Sequence, residues 1–146
     1  SLPAALPISD LDHFKQINDT YGHLAGDVIL RDAALRMVES IRPYDFIGRY
    51  GGEEFLIILP GLSADEPFSR LKQLHQAMSE RLFLFEDTAF HVTSSFGATS
   101  IDADMLTVED MVRCADEALY RAKDSGRDCI IFYTAPGQTD SLFETH

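Results

Sequence analysis

The stretch 49–55 reads Arg49-Tyr50-Gly51-Gly52-Glu53-Glu54-Phe55 and carries the strongest signal in this chain. It joins two segments of strand-like composition, 46–50 and 55–59, so it predicts a hairpin with a tight glycine turn. Glycine carries no side chain, which lets a bulky ligand lie against the backbone, and two carboxylates follow directly. Taken alone, an ordinary hairpin with exposed acidic residues is the simpler explanation of this stretch.

A second acidic group follows the first apolar segment of the chain. Residues 2–9 predict a buried strand that delivers Asp10 and Asp12 at its carboxyl end. A carboxylate in such a place is costly unless a positive charge compensates it. Mg²⁺ is bound by few protein carboxylates together with substrate phosphates, and a pair of metal ions roughly 3.5–4 Å apart can activate a hydroxyl and stabilise a leaving oxygen. For Asp12, the alternative is an N-cap that opens a helix.

The remaining elements follow from hydrophobic periodicity. The pattern predicts helices over most of 23–41, over 67–82 and from a capping box at 107–110 to Gly126, and further strands at 90–98 and 129–133. The resulting order β-α-β-β-α-β-α-β predicts an α/β fold, an α+β sandwich in which helices pack on a mostly antiparallel sheet. Residues 1–133 are expected to form one domain, and residues 134–146 a flexible C-terminal tail.

Composition narrows the class of protein. The chain of 146 residues is 45% hydrophobic, which suffices for one core. Its formal net charge of −12 argues against a nucleic-acid binder, because such proteins usually carry a basic stripe. Cys114 and Cys129 lack zinc-site spacing, so a reducing, cytoplasmic setting is expected, and no apolar run predicts membrane contact. His75 and His91 have no partner at ligand spacing and are expected at the surface or half-buried.

Four separated motifs resemble, in order, the pattern of GGDEF domains, the catalytic domains of diguanylate cyclases. They are residues 10–15, 17–27, 49–55 and 115–127, and the resemblance covers roughly 2–133. It implies a sheet similar to the palm of nucleotidyl cyclases and polymerases. It also implies the condensation of two GTP molecules into cyclic di-GMP and two pyrophosphates, with two Mg²⁺ or Mn²⁺ ions per active site, in a transient antiparallel homodimer. The family pattern has a helix before the first strand that this chain lacks, and a sensory module is expected N-terminal to the domain.

The resemblance also assigns the metal ligands and the catalytic groups. Asp10, the main-chain carbonyl of Leu11, Glu53 and Glu54 fall on the metal-binding positions. Glu53 is the favoured base for the ribose 3′-hydroxyl. The division of roles between Glu53 and Glu54 stays open, whereas both are expected to be necessary for catalysis.

Substrate contacts are assigned in the same way. Asn18 and Asp27 match the positions that read the guanine edge, with His23 beside them, and a carboxylate there can accept from both N1–H and the 2-amino group of guanine, which adenine lacks. The remaining substrate-binding positions are Gly51 and Gly52 of the turn, the main-chain amides around His13 and Phe14, and the cations Lys123 and Arg127. A helix-end cation is the alternative for Lys123.

The last motif is Arg42-Pro43-Tyr44-Asp45, which five residues separate from Gly51. An exposed ion pair explains an isolated RxxD. At this offset the family carries its product-inhibition site, so the resemblance assigns cyclic di-GMP binding to Arg42 and Asp45. Two rival functions remain: a non-catalytic receptor for GTP or cyclic di-GMP, which usually has substitutions in its GGEEF block, and a general nucleotide cyclase or polymerase palm, which needs no RxxD.

Overall fold

The computed structural model describes residues 4–63, 65–101, 107–134 and 141–144. Within these ranges the strands are β1 Ala4–Leu11, β2 Phe46–Arg49, β3 Glu54–Ile58, β4 Phe83–Phe85, β5 Thr88–Phe90, β6 Ser94–Ile101, β7 Cys129–Phe132 and β8 Ser141–Glu144. The helices are α1 Phe14–Tyr21, α2 His23–Ser40, α3 Glu66–Ser79 and α4 Val108–Asp124.

The main sheet has the strand order β2-β3-β1-β6-β7-β8. Every neighbouring pair is antiparallel except β6 with β7, which are parallel because α4 carries the chain across one face between them. The predicted α/β fold with a mostly antiparallel sheet is therefore confirmed. β1 lies at the centre of the sheet, so its carboxyl end brings Asp10 between β3 and β6.

Helices cover the two faces of the sheet. Side chains of α2 and α3 join one core with Phe55 and Ile57 of β3, while α4 packs Ala115 on the opposite face. Gly97 of β6 makes the α4 contact possible, because a Cβ at this position would lie 2.0 Å from the main-chain nitrogen of Leu119. The close approach of α4 fixes its last turn, and with it Lys123, at the end of β1.

The fold differs from the prediction in two places, residues 14–21 and residues 90–98. Residues 14–21 form α1, which was not predicted because it spans only 8 residues before Gly22 interrupts it with φ 91°. The predicted strand over 90–98 is divided: Phe90 closes the small hairpin β4–β5 opposite Phe83, and β6 begins only at Ser94.

The predicted tail over 134–146 contains a strand. Residues 141–144 pair antiparallel with β7 as β8. The physical reason is that β7 otherwise presents a free row of backbone donors and acceptors, which an added strand satisfies. Residues 135–140 and 145–146 lie outside the described residues. In the described ranges, none of the helices has the length and apolar character required to cross a bilayer.

Candidate active site

The two predicted acidic groups meet at one end of the sheet. Asp10 of β1 is the register partner of Glu54 at the start of β3. The turn that precedes β3 is closed by the main-chain amide of Tyr50, which donates to the Glu54 carbonyl at 2.8 Å. Arg49 donates through Nε to the carbonyl of Gly52 at 3.0 Å. These bonds hold the glycine turn and its two carboxylates beside Asp10.

Charge is unevenly balanced in this cluster. Asp10 is 3% exposed, and its Oδ2 accepts from Nζ of Lys123 in a very short contact. Burial, and after it the charge of Asp10, raises the pKa of both Glu53 and Glu54, while Lys123 opposes the shift. Burial also raises the pKa of Asp116 on α4. The cluster therefore places more carboxylates than cations in a partly desolvated region.

A cavity of about 250 Å³ opens beside this cluster. Its lining contains Asp10, Leu11, Asp12, His13, Phe14, Lys15, Gln16, Glu53, Lys123 and Arg127. Seven of the predicted site residues are thus brought together around one cavity. Glu54 is not part of the lining, although its backbone lies opposite Asp10. This difference favours Glu53 over Glu54 as the carboxylate that contacts a bound molecule.

The residues predicted to read guanine lie farther along the α1–α2 unit. Asn18 packs against α2, and a Cβ at Gly26 would lie 1.9 Å from its Oδ1 atom, which explains the glycine. That Oδ1 atom is buried and has no hydrogen-bond partner. Asp27 is exposed and lines a separate groove of about 390 Å³ between α2 and the β2–β3 hairpin. His23 is exposed at the start of α2, so the structure does not bring these three side chains into one cavity.

The two predicted phosphate-binding cations lie on either side of a sharp turn. Lys123 is in the last turn of α4, where a cation interacts favourably with the helix dipole. It also forms an ion pair with the buried Asp10, so the dipole interaction is not its only role. Beyond it, Gly126, Arg127 and Asp128 all have positive φ, of 110°, 64° and 49°. The Arg127 amide donates to the carbonyl of Ala122 at 3.0 Å, which folds this turn back onto α4.

Asp12 has a structural role that differs from the predicted N-cap. His13 precedes α1, and no side chain caps this helix. The carboxylate of Asp12 instead accepts from the hydroxyls of Thr93 and Ser95, each at 2.6 Å, and from the Asp128 amide at 3.0 Å. It ties the end of β1 to β6 and to the turn after α4. These partners lie 81 to 116 residues away, and no sequence signal links them.

His75 is also placed differently from the prediction. It is 2% exposed on α3, so the expected surface or half-buried position is wrong. Its Nε2 atom lies 2.8 Å from Oδ1 of Asp128. Burial lowers the pKa of His75, and the neighbouring Asp128 carboxylate opposes that shift. His91, by contrast, is exposed.

The RxxD motif forms a compact charged cluster of its own. Arg42 donates to Asp45 through Nε and Nη2, the latter at 2.7 Å, and also to the Pro60 carbonyl at 2.8 Å. The Asp45 side chain is fully covered, so an exposed ion pair does not describe it. Arg70 of α3, which sequence reasoning missed, lies 3.3 Å from the same carboxylate. Burial opposes ionisation of Asp45, but the hydrogen bonds and charges of Arg42 and Arg70 prevail and lower its pKa.

The donor set at the acidic cavity suits a hard divalent cation. Across the described residues, no three His, Cys, Asp or Glu side chains are grouped so that they could hold a metal ion by themselves. Mg²⁺ does not require such a cage, because it binds through one or two carboxylates and completes its shell with water and substrate phosphates. The desolvated acids Asp10 and Glu53 and the Leu11 segment that lines the same cavity fit this requirement.

Comparisons with known proteins place this geometry in context. A family model described as "Diguanylate cyclase, GGDEF domain" matches residues 2–129. Diguanylate cyclase DgcP of Pseudomonas aeruginosa is 42% identical over 123 residues, which cover 84% of this chain and 18% of DgcP. The curated relatives matched are much longer, and the chain spans 18% to 36% of their lengths.

Solved structures give the same likeness. The active GGEEF domain of a diguanylate cyclase from Vibrio cholerae has a TM-score of 0.82 and 33% identity, over 92% of this chain and 85% of that one. The GGDEF domain of DgcB from Caulobacter crescentus, solved in complex with c-di-GMP, has a TM-score of 0.83 and 31% identity, over 89% of this chain and 77% of that one.

Proposed function

The chain belongs to the GGDEF family of diguanylate cyclases, and we propose that it condenses two GTP molecules into cyclic di-GMP and two pyrophosphates. The observation that carries the proposal is the cavity beside β1. It unites the carboxylates of Asp10 and Glu53 with the cations Lys123 and Arg127. Phosphoryl transfer depends on positioning and charge stabilisation, and this set of groups supplies both.

Two divalent ions, Mg²⁺ or Mn²⁺, are part of the proposal, with Asp10, the Leu11 carbonyl, Glu53 and Glu54 as their protein ligands. When bound, such ions neutralise phosphate charge and make the ribose hydroxyl more acidic. The raised pKa values of Glu53 and Glu54 support these positions, because a cation would relieve the repulsion that Asp10 imposes on both. The Asp10 carboxylate is also shared with Lys123, so a divalent ion and Lys123 compete for it.

In each transfer, the 3′-oxygen of one GTP forms a bond to the α-phosphorus of the other. The bond from that phosphorus to the bridging oxygen of the departing pyrophosphate breaks, and the proton of the hydroxyl passes to Glu53. Lys123, Arg127 and the amides around His13 and Phe14 hold the triphosphate. Each GTP is both nucleophile and electrophile, so two domains must face each other as a transient antiparallel homodimer.

The base and the ribose lie along the α1–α2 side in this proposal. Asn18 and Asp27 read the guanine edge, where the Asp27 carboxylate accepts from N1–H and the 2-amino group, with His23 beside them, and the turn glycines Gly51 and Gly52 let the nucleotide approach the backbone.

Product inhibition at Arg42 and Asp45 is the regulatory part of the proposal. Two arginines, Arg42 and Arg70, converge on one covered carboxylate there, so the cluster carries an excess of positive charge. A guanidinium can bind a phosphate or the Hoogsteen edge of guanine with two parallel hydrogen bonds. We place a sensory module N-terminal to the domain in the longer protein.

The test is incubation of the purified chain with GTP and Mg²⁺, followed by chromatography of the nucleotides and a pyrophosphate assay. The expected result is cyclic di-GMP and pyrophosphate in a ratio of one to two, with a rate that rises with the square of protein concentration when dimers are rare. A chain that binds GTP but forms no product would instead be a nucleotide receptor, and the proposed activity would be wrong.

A further inference from the structure

A buried histidine contacts the turn that carries a proposed phosphate-binding residue. His75 of α3 is 2% exposed, and its Nε2 atom lies 2.8 Å from Oδ1 of Asp128, an oxygen that is itself buried. Asp128 follows Arg127 directly. We propose that His75 and Asp128 are positioning residues that hold Arg127 where it binds the pyrophosphate portion of the nucleotide. The inference rests on the proposed function and adds two residues to its machinery.

The backbone of this turn needs external support. Arg127 and Asp128 both lie in the left-handed region, with φ of 64° and 49°. Residues with a Cβ rarely adopt this conformation, and two in succession persist only where the surrounding contacts over-determine them. Gly126 precedes them with φ 110°, a conformation open to glycine. The conformation that aims Arg127 is therefore maintained from outside the turn.

Two independent contacts fix Asp128. Its main-chain amide donates to Asp12 at 3.0 Å, and Asp12 is held in turn by the hydroxyls of Thr93 and Ser95. Its side chain contacts His75. One contact comes from the end of β1 and the other from α3, so the two together leave the backbone at residue 128 little freedom to rotate.

A histidine at residue 75 has to be explained, because its side chain is buried. The ring lies in the core, with its centroid 6.0 Å from that of the fully buried Phe96. An apolar side chain would fill this space without the cost of burying a polar ring. Its Nε2 atom lies 2.8 Å from Asp128 Oδ1, and this contact to the turn is one that an apolar residue could not reproduce.

The experiment compares His75→Leu and Asp128→Ala with the conservative variants His75→Gln and Asp128→Asn. Loss of the contact should raise the KM for GTP and the Kd for inorganic pyrophosphate with Mg²⁺ by about tenfold, as expected for one polar contact to a charged group. kcat should fall by less than about threefold, because a phosphate contact is made in both the ground state and the transition state. The conservative variants should recover most of the affinity, since each retains a donor or an acceptor.

Arg36→Gln is the matched control. Arg36 donates to the carbonyl of Met78 at 2.8 Å and so holds the C-terminal end of α3, while its hydrogen bonds go to residues 32, 77–78 and 81–82 rather than to the turn after α4. It should lower the Tm but leave KM and pyrophosphate affinity unchanged. If His75→Leu behaves like this control, His75 is only a core residue and the inference is overturned. If His75→Leu fails to fold, Asp128→Ala decides alone, because that side chain is 42% exposed.

Pyrophosphate binding separates this inference from the proposed function. A wild-type chain that binds pyrophosphate but makes no cyclic di-GMP would overturn the proposed activity, while the variants would still test the turn by calorimetry. A wild-type chain that does not bind pyrophosphate with Mg²⁺ would overturn both.

Discussion

Two charged clusters of this domain are built in opposite ways. At the end of β1, Asp10 pairs with the ammonium of Lys123, and the pKa values of Glu53 and Glu54 are raised, first by burial and then by the charge of Asp10. In the RxxD cluster, a single covered carboxylate faces two guanidinium groups, and its pKa is lowered.

The difference shows what each cluster lacks. The first has unbalanced negative charge in a desolvated place, which destabilises the metal-free fold and favours binding of a cation. The second satisfies its acid within the chain and places two guanidinium groups beside a single carboxylate, which favours an anionic ligand. The proposed catalytic centre and the proposed inhibitory site thus differ in the sign of the charge that each leaves uncompensated.

The largest expected effect is at Asp10. Asp10→Asn keeps the shape of the side chain but removes its charge, and turnover should fall roughly a hundred- to a thousandfold, since electrostatic stabilisation is the main contribution expected here. Cyclic di-GMP formation at saturating Mg²⁺ measures this. Asp116→Asn is the control, because Asp116 is another carboxyl with a raised pKa but does not line the cavity. Equal losses of turnover in the two variants would show that Asp10 has no special role in catalysis.

At the other cluster, Arg42→Ala should reduce the free energy of unfolding by about 3 kcal/mol, because it leaves the covered Asp45 carboxylate with one partner fewer. It should also lose cyclic di-GMP binding more completely than Asp45→Ala. Urea unfolding and calorimetry measure the two effects separately. Arg42→Lys, which keeps the charge but not the planar fork, should retain more stability than affinity. Undiminished binding by Arg42→Ala would show that the motif is an internal ion pair only.

The residues proposed to select guanine lie outside both clusters, and Asp27→Ser tests this assignment. The preference for GTP over ATP should fall by about a hundredfold, because a site built to hydrogen-bond a group rejects analogues that lack it. Competition between the two nucleotides measures the preference. Arg31→Gln, in the same groove, should leave it unchanged, since an arginine cannot accept from guanine N1–H. An unaltered preference in Asp27→Ser would mean that guanine is read elsewhere.

The smallest expected effect concerns the buried His75 of α3. Because burial holds the folded-state pKa of His75 below 6.5, the unfolded chain binds a proton first as the pH falls. His75 should therefore make the free energy of unfolding decrease below about pH 6.5, by at most about 1.4 kcal/mol per pH unit. His75→Gln should remove this component from the stability profile, whereas the exposed His91→Gln should not. Identical slopes in wild type and His75→Gln would be inconsistent with a buried neutral imidazole.

Sequence reasoning predicted the fold well where the signal is local. The long helices α2, α3 and α4 and the β2–β3 hairpin follow from periodicity, capping and the glycine turn. It missed α1 and the β4–β5 hairpin because elements of 8 and 3 residues give too few repeats for a period to emerge. β8 was missed because its pairing with β7 depends on the sheet rather than on its own pattern.

In the candidate site too, some features were predicted from local sequence signals and others depend on contacts between distant residues. Motifs predicted which residues gather at the end of β1, and the structure places most of them around one cavity. They could not predict that Lys123 pairs with Asp10, 113 residues away, or that Arg70 joins Asp45. Nor could they predict the contact of His75 with Asp128. Contacts of this kind are set by how helices pack on the sheet, and residue spacing carries no information about them.

Glu53→Gln gives the most direct test of the central claim, that the acids at the end of β1 are arranged for a cation and a nucleotide. The measurement is the Tm of wild type and of this variant, first in EDTA and then with saturating Mg²⁺ and a non-hydrolysable GTP analogue. Removal of one repelled carboxylate should make Glu53→Gln melt above wild type in EDTA. Wild type should melt above the variant once metal and nucleotide are bound. The same order under both conditions would contradict the account.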